Sequence, residues 1–106
     1  MSESLESGGT VVTRSYQSKD GSRMRFSVGA PYPTGTEHGP YKCDYLLELG
    51  TRRIARTVEG MDGLHVLLLS LSSIRQWITE SGIVDPLNFR WDGADEWGEL
   101  GFFLPD

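Results

Sequence analysis

The residue types best suited to covalent or metal chemistry are scarce in this chain, which has one cysteine and two histidines among 106 residues. A cysteine nucleophile needs an accessible thiolate and a nearby base, and His38 is the histidine nearest to Cys43 in sequence. Cys43, however, falls on the apolar side of a predicted strand, which favours a buried thiol. His65 has no second histidine or cysteine at metal-ligand spacing. We therefore predict no catalytic residue, no metal site and no cofactor, and we expect that the chain is not an enzyme.

The net charge of −5 comes entirely from the last 22 residues, which hold six acids and one arginine, whereas the first 84 hold nine acids and nine bases. These acids do not alternate, and the glycine that a calcium loop needs at its sixth position is missing. A solvated loop is one interpretation. Tryptophan, however, is favoured at binding hot spots, and acidic charge attracts a basic partner. We predict a partner-binding surface formed by Trp91, Asp92, Asp95, Glu96, Trp97 and Glu99.

A basic group, Arg52, Arg53 and Arg56, stands on another predicted strand. Single-stranded nucleic acid would need such charge beside exposed aromatic rings. The favoured interpretation is an outer sheet face on which these arginines pair across strands with Asp44 and Glu48. Because an acidic net charge also repels phosphate backbones, we expect no nucleic-acid partner.

Alternating apolar and polar residues predict antiparallel strands. Met24, Phe26 and Val28 share one side of their strand, and Asp20-Gly21 before it is typical of a two-residue hairpin turn. With one helix after the strands, the pattern predicts an α+β fold with an antiparallel sheet of about four strands. The predicted strands are Thr10–Gln17, Arg23–Val28, Tyr41–Gly50 and Thr51–Gly60.

The stretch from Glu59 to Gly82 predicts one long helix, which Asp62 can cap and Gly82 can close. Two apolar stripes follow helical spacing. The stripe expected to lie on the sheet is Leu64, Leu67, Leu71, Ile74 and Ile78. The second stripe is Val66, Leu69 and Trp77. It needs another cover, supplied by the same chain or by a second copy, and the apolar residues left for this are Phe89, Trp91, Trp97, Phe102 and Phe103.

The chain divides into three predicted parts. Residues 1–9 read as a flexible N-terminal tail, residues 10–84 as the sheet-plus-helix domain, and residues 85–106 as an aromatic acidic C-terminal extension packed on that domain. The start lacks the basic and apolar regions of a secretory signal, and polar residues interrupt every long apolar run. The lone cysteine suits a reducing compartment. We expect a cytoplasmic protein with no membrane partner.

Four pieces of the sequence, DGS, VGAPYP, YKCDYLLELG and EGMDGLHVLLLSLSSIRQWI, resemble a family of small bacterial proteins of uncharacterised function. The shared pattern is a strand carrying Cys-x-Tyr (Cys43 and Tyr45) and a Gly-x-Asp step (residues 60–62) that opens a leucine-rich helix. The resemblance covers roughly Arg14 to Ile78 and departs at His65, where the family carries glutamine. It implies a short sheet followed by one helix and a bacterial cytoplasmic setting, and it transfers no catalytic residue.

Three functional hypotheses follow. The leading one is a protein–protein interaction module, similar in role to an immunity protein or antitoxin, that uses the acidic aromatic surface. The second is a small-molecule-binding or enzymatic domain in which the Gly29–Pro40 loop closes over a pocket lined by Tyr32, His38 and Tyr41. The third is a homodimeric structural protein.

Overall fold

A computed structural model describes residues 9–35 and 39–101. The fold is α+β, with an antiparallel sheet and one helix, as the sequence predicts. In chain order the strands are β1 Thr10–Ser18, β2 Met24–Gly29, β3 Tyr32–Pro33, β4 Tyr41–Leu49, β5 Arg52–Gly60 and β6 Phe89–Trp91, with helix α1 Gly63–Glu80 between β5 and β6.

Within the described residues the sheet has six strands, two more than the sequence predicts. Strands β1, β2, β4 and β5 form the expected meander, each antiparallel to the next. The first additional strand, β3, lies within the predicted Gly29–Pro40 loop and pairs with the start of β4 on the side that β2 occupies further along. The second, β6, pairs with the end of β1 and forms the outer edge of the sheet. Strand β3 is two residues long, which is too short for an alternation pattern to register in the sequence.

One face of the sheet carries the core. The strand register aligns Tyr16 with Met24 and Phe26 with Leu47, and all four side chains are buried. Cys43 is on this face and fully buried, as predicted. The other face is polar, with ion pairs such as Arg25–Glu48 at 2.9 Å. Among the described residues, helix α1 packs on the core face of the sheet.

Helix α1 begins where the sequence predicts. The Asp62 carboxylate accepts a hydrogen bond from the backbone N–H of His65 at 2.8 Å, and His65 Nδ1 accepts one from the N–H of Met61 at 2.9 Å. This reciprocal arrangement is a variant of the capping box, in which histidine takes the place of glutamate or glutamine. Gly82 follows the helix with φ +85°, a conformation that glycine adopts without strain.

The face of α1 that lies on the sheet differs from the predicted stripe. Val66, Ser70, Ile74 and Ile78 are the buried residues of the helix, whereas Leu64 is 66% exposed. Val66 therefore belongs to the sheet-facing side, and the prediction that Leu64 packs on the sheet is wrong. Both stripes fit the helical period equally well. The period therefore does not fix the rotation of α1 about its axis, which depends on contacts with the strands.

Two residues of the second stripe are covered in the described part of the chain, because Val66 is fully buried and Trp77 is half-buried against the core. α1 packs on β2, β4 and β5, while β6 lies at the far edge of the sheet against β1. Val66 and Trp77 reach the core from the helix itself, and Leu69 remains 37% exposed. Phe102 and Phe103, which the sequence also offers as cover, lie outside the described residues. No helix among the described residues has the length and apolarity needed to cross a membrane.

Candidate functional site

The chain after β6 turns back along that strand. We call residues Asp92–Glu99 the acidic segment. Gly98 N–H donates to the carbonyl of Phe89 at 2.8 Å, and Trp91 N–H donates to the carbonyl of Glu99 at 3.1 Å. Two turns connect these contacts, closed by Ala94 N–H to Trp91 O and by Glu99 N–H to Glu96 O. The backbone of the acidic segment is thus tied to the sheet through β6.

Leu100 and Gly101, which follow the acidic segment, are held by side chains of β1. The Tyr16 hydroxyl donates to the Leu100 carbonyl at 2.8 Å, and Arg14 Nη1 donates to the Gly101 carbonyl at 2.9 Å. Leu100 itself is buried in the core. Burial raises the pKa of Tyr16 to about 12, although Arg14 beside it acts in the opposite direction. The hydroxyl therefore keeps its proton and remains a donor at physiological pH.

Trp97 is the exposed aromatic residue of the acidic segment, with 36% of its surface accessible. The guanidinium of Arg90 lies 4.4 Å from the Trp97 ring centroid, and Lys19 Nζ lies 5.8 Å from it. Arg90 also donates to the carbonyl of Asp95 at 3.1 Å. These cation–π and hydrogen-bond contacts hold the indole in place while one part of it stays open to solvent.

Trp91 lies on the other side of β6. It is opposite Tyr16 in the register, so it shares the face of the sheet that carries the core, where Arg14 stacks 5.1 Å from its ring centroid. Its Nε1 is buried and has no hydrogen-bond partner among the described residues. The structure therefore separates the two tryptophans: Trp97 stands with the exposed acids, and Trp91 packs against the sheet.

The four carboxylates of the predicted surface are all exposed: Asp92, Asp95, Glu96 and Glu99. Among the described residues none of them forms a salt bridge, and Asp92 accepts one long hydrogen bond from Gln17 at 3.4 Å. Nor do any three histidine, cysteine, aspartate or glutamate side chains in that part of the chain stand close enough to hold a metal ion. The acids are thus available for long-range attraction of a basic surface.

The other candidate residues lie apart from one another. The Cys43 thiol is buried and donates to the Gly29 carbonyl at 3.3 Å, and burial raises its pKa, which disfavours the reactive thiolate. His65 is exposed and used in the helix cap. His38, the predicted base, lies outside the described residues.

The arginine group is divided between the two faces of the sheet. Arg53 is opposite Glu48 in the register, consistent with cross-strand pairing on the polar face. Arg56 is opposite Tyr45, on the face that carries the helix, and its guanidinium lies 5.4 Å from the Trp77 ring centroid. The three arginines therefore do not form one continuous basic patch.

The pocket expected beneath the Gly29–Pro40 loop is not assembled from the described residues. Tyr32 lies in β3 and its hydroxyl donates to Asp44 at 3.3 Å, while Tyr41 packs against the core. A shallow groove of about 350 Å³ does border the end of this loop, lined by Gly39, Pro40, Glu59, Gly60 and Met61. Neither tyrosine contributes to it.

Sequence reasoning missed the residues that position the acidic segment, namely Arg14, Tyr16, Lys19 and Arg90. Arg90 carried a usable signal, because it is the sole basic residue among the last 22 and stands seven positions before Trp97. Arg14 and Tyr16 are more than 80 positions from Gly101 and Leu100, whose carbonyls they contact, and no local sequence pattern predicts such contacts.

In the described residues, these features define an α+β protein with one α-helix on the core face of an antiparallel sheet. The acidic segment is fixed at the edge of that sheet. The chain belongs to the family described as a domain of unknown function, DUF6968, whose sequence profile matches residues 12–104. The match extends beyond Ile78 through the acidic segment, which is therefore part of the family's domain. No curated protein and no solved structure matches the chain significantly.

Proposed function

We propose that this protein is an interaction module whose acidic segment docks on a basic surface of another protein. The observation that carries the proposal is the surroundings of Trp97. A partly exposed indole, fixed by Arg90 and Lys19, stands within eight residues that also present four exposed carboxylates. Tryptophan is among the residues enriched at binding hot spots, and exposed charge attracts an oppositely charged partner.

The backbone hydrogen bonds of the acidic segment support this role. Because Gly98 and Glu99 are paired with β6, little backbone freedom remains to be lost when a partner binds. The carboxylates supply attraction at a distance, which raises the association rate and makes it dependent on salt. The indole then supplies apolar contact area at short range.

One specific form of the proposal is an immunity or antitoxin role. In that form the acidic segment covers the basic surface of a toxin and blocks its access to a negatively charged substrate. A cytoplasmic setting suits this role, and the lone buried thiol is compatible with it. We expect the partner to have a basic face, and we expect neither a cofactor nor a catalytic step.

The test is quantitative affinity capture from cells of the source organism with three baits: the wild type, E96K/E99K and E80K. Glu80 is an exposed acid near the end of α1, outside the acidic segment, so E80K controls for a charge reversal elsewhere. The proposal predicts a protein that the wild type and E80K retain, that E96K/E99K loses, and that elutes as salt is raised. Trp97→Ala should weaken retention of the same protein by about tenfold or more.

Equal retention of every captured protein by the wild type and E96K/E99K would contradict the proposal. So would a partner whose retention is unaffected by salt and by Trp97→Ala. Circular dichroism of each bait confirms that a loss of retention reflects the surface and not the fold.

A further inference from the structure

An exposed side of α1 has no role in the features described so far. Met61, just before the helix, is 82% exposed, Leu64 is 66% exposed and Leu68 is 51% exposed. Leu71 continues the same line and is half-buried. We call these four residues the leucine seam. On the helix, Leu64, Leu68 and Leu71 follow one another at intervals of four and three residues, and Met61 stands three residues before Leu64, ahead of the cap Asp62.

This spacing is that of helix-to-helix packing. Apolar residues alternating at three and four positions form the narrow stripe with which one helix packs along another, whereas a helix on a sheet presents a broader face. The broader face of α1 is already used, through Val66, Ile74 and Ile78. The leucine seam lies to one side of it, so the helix has a surface suited to a second helix.

We propose that the leucine seam pairs with the leucine seam of a second copy of this chain, antiparallel, with Leu68 at the twofold axis. Charge at the two ends of the seam favours this occupant. Arg75 stands seven residues after Leu68, and Asp62 stands six residues before it. Across an antiparallel pair centred on Leu68, each Arg75 approaches Met61 and Asp62 of the other copy, so a cation meets an acid at both ends.

A parallel pair would give the opposite result. It would place the two Arg75 side chains together at one end and the two Asp62 carboxylates together at the other, which is unfavourable at each end. Arg75 is exposed and forms no salt bridge within the described residues, so its charge is available to the second copy. The seam shares no residue with the acidic segment, and the dimer and the proposed function therefore stand or fall separately.

The first test uses the symmetry of the pair. In Leu68→Cys, the two new thiols face each other across the axis, and the native Cys43 is buried and does not compete. Mild oxidation should convert this variant to a disulfide-linked dimer. Leu87→Cys is the matched control, because Leu87 is 65% exposed and lies outside the seam, and it should remain uncrosslinked under the same conditions.

The second test is sedimentation equilibrium over a concentration series. Leu68→Glu removes two leucines from the interface and places two carboxylates at the axis, so the dimer dissociation constant should rise by about 100-fold. Leu87→Glu should leave that constant unchanged, and circular dichroism should show both variants folded. A wild type that stays monomeric at every concentration, or a dimer that is unaffected by Leu68→Glu, would overturn the proposal.

Discussion

Two regions cover the core face of the sheet by different physical means. Over β2, β4 and β5 the cover is α1, which is held by buried apolar side chains such as Ile74 and Ile78. Over β1 the cover is irregular chain from β6 to Gly101, and Arg14 and Tyr16 hold it by hydrogen bonds to backbone carbonyls. The helical half depends on buried side-chain volume, whereas the C-terminal half combines buried Phe89 and Leu100 with a few polar contacts at long sequence separation.

The difference indicates where function can be added to a small domain. In a helix fixed by packing, replacing a buried apolar side chain such as Ile74 by a polar one lowers stability. A segment fixed through its backbone leaves its side chains unconstrained, so Asp95, Glu96 and Glu99 can face solvent without cost to the core. The C-terminal half, which has little regular secondary structure, carries the proposed binding surface.

The largest expected effect is in the helical half. Ile74→Ala removes a fully buried side chain and should lower the free energy of unfolding by about 2–5 kcal/mol, measured by urea denaturation. Leu64→Ala, on the seam of the same helix, should change it by about 0.5 kcal/mol or less in the monomer. A larger loss in Leu64→Ala than in Ile74→Ala would reverse the assignment of the two sides of α1.

In the C-terminal half, the corresponding change is Gly101→Ala. Gly101 has φ +79°, and a Cβ there would overlap Arg14 Nη1, so the substitution adds backbone strain and displaces the guanidinium from the carbonyl. We expect a loss of about 2 kcal/mol. Gly50→Ala is the control, because Gly50 also has a positive φ but open space around it, and it should cost only about 1 kcal/mol. Equal losses would show that the Arg14 contact contributes no stability.

Tyr16→Phe removes the hydrogen bond to Leu100 and should cost about 1 kcal/mol at neutral pH. Hydrogen exchange should then accelerate in the acidic segment. Tyr45→Phe, which loses a hydroxyl in the helical half, should leave exchange in the acidic segment unchanged. Faster exchange there in both variants would mean that the two halves are not independent.

Tyr16 should also make the folded protein less stable in alkali. In the folded state Tyr16 keeps its proton up to about pH 12, whereas in the unfolded chain it ionises near its ordinary pKa of 10.0. Its contribution to stability is therefore complete below pH 10 and is lost as pH rises towards 12. Denaturation across this range should show a steeper decline for the wild type than for Tyr16→Phe. Parallel declines would exclude Tyr16 as the cause.

The smallest effect concerns the helix cap. His65→Ala removes the acceptor for the N–H of Met61 and should cost about 0.5–1 kcal/mol. His65→Gln should restore most of this, because a glutamine oxygen at that position can accept the same hydrogen bond. Thermal unfolding of the two variants measures the difference. No recovery in His65→Gln would show that the imidazole acts through packing and not through the cap.

Sequence patterns predicted the helical half better than the C-terminal half, for physical reasons. The alternation in β2 and β4 and the Asp62 cap are local, and each appears in the structure where expected. The predicted two-residue hairpin turn at Asp20-Gly21 is wrong, because residues 19–23 connect β1 to β2 and Asp20 does not have a positive φ. The rotation of α1 was not predictable, because both stripes fit the helical period. The positions of β6 and the acidic segment depend on contacts from Arg14 and Tyr16 that no local pattern encodes. The exposed acids were nevertheless predicted as a surface, because their concentration in the last 22 residues is visible in the sequence.

The backbone of the acidic segment is held against β6, so the segment presents its charges on a fixed backbone. Native-state hydrogen exchange at the Gly98 amide tests it most directly, because this N–H donates to the Phe89 carbonyl. We expect protection at Gly98 comparable to that of the β1–β6 ladder, and a loss of that protection in Tyr16→Phe. Exchange of Gly98 at the rate of an unstructured chain, while the amides of α1 stay protected, would contradict it.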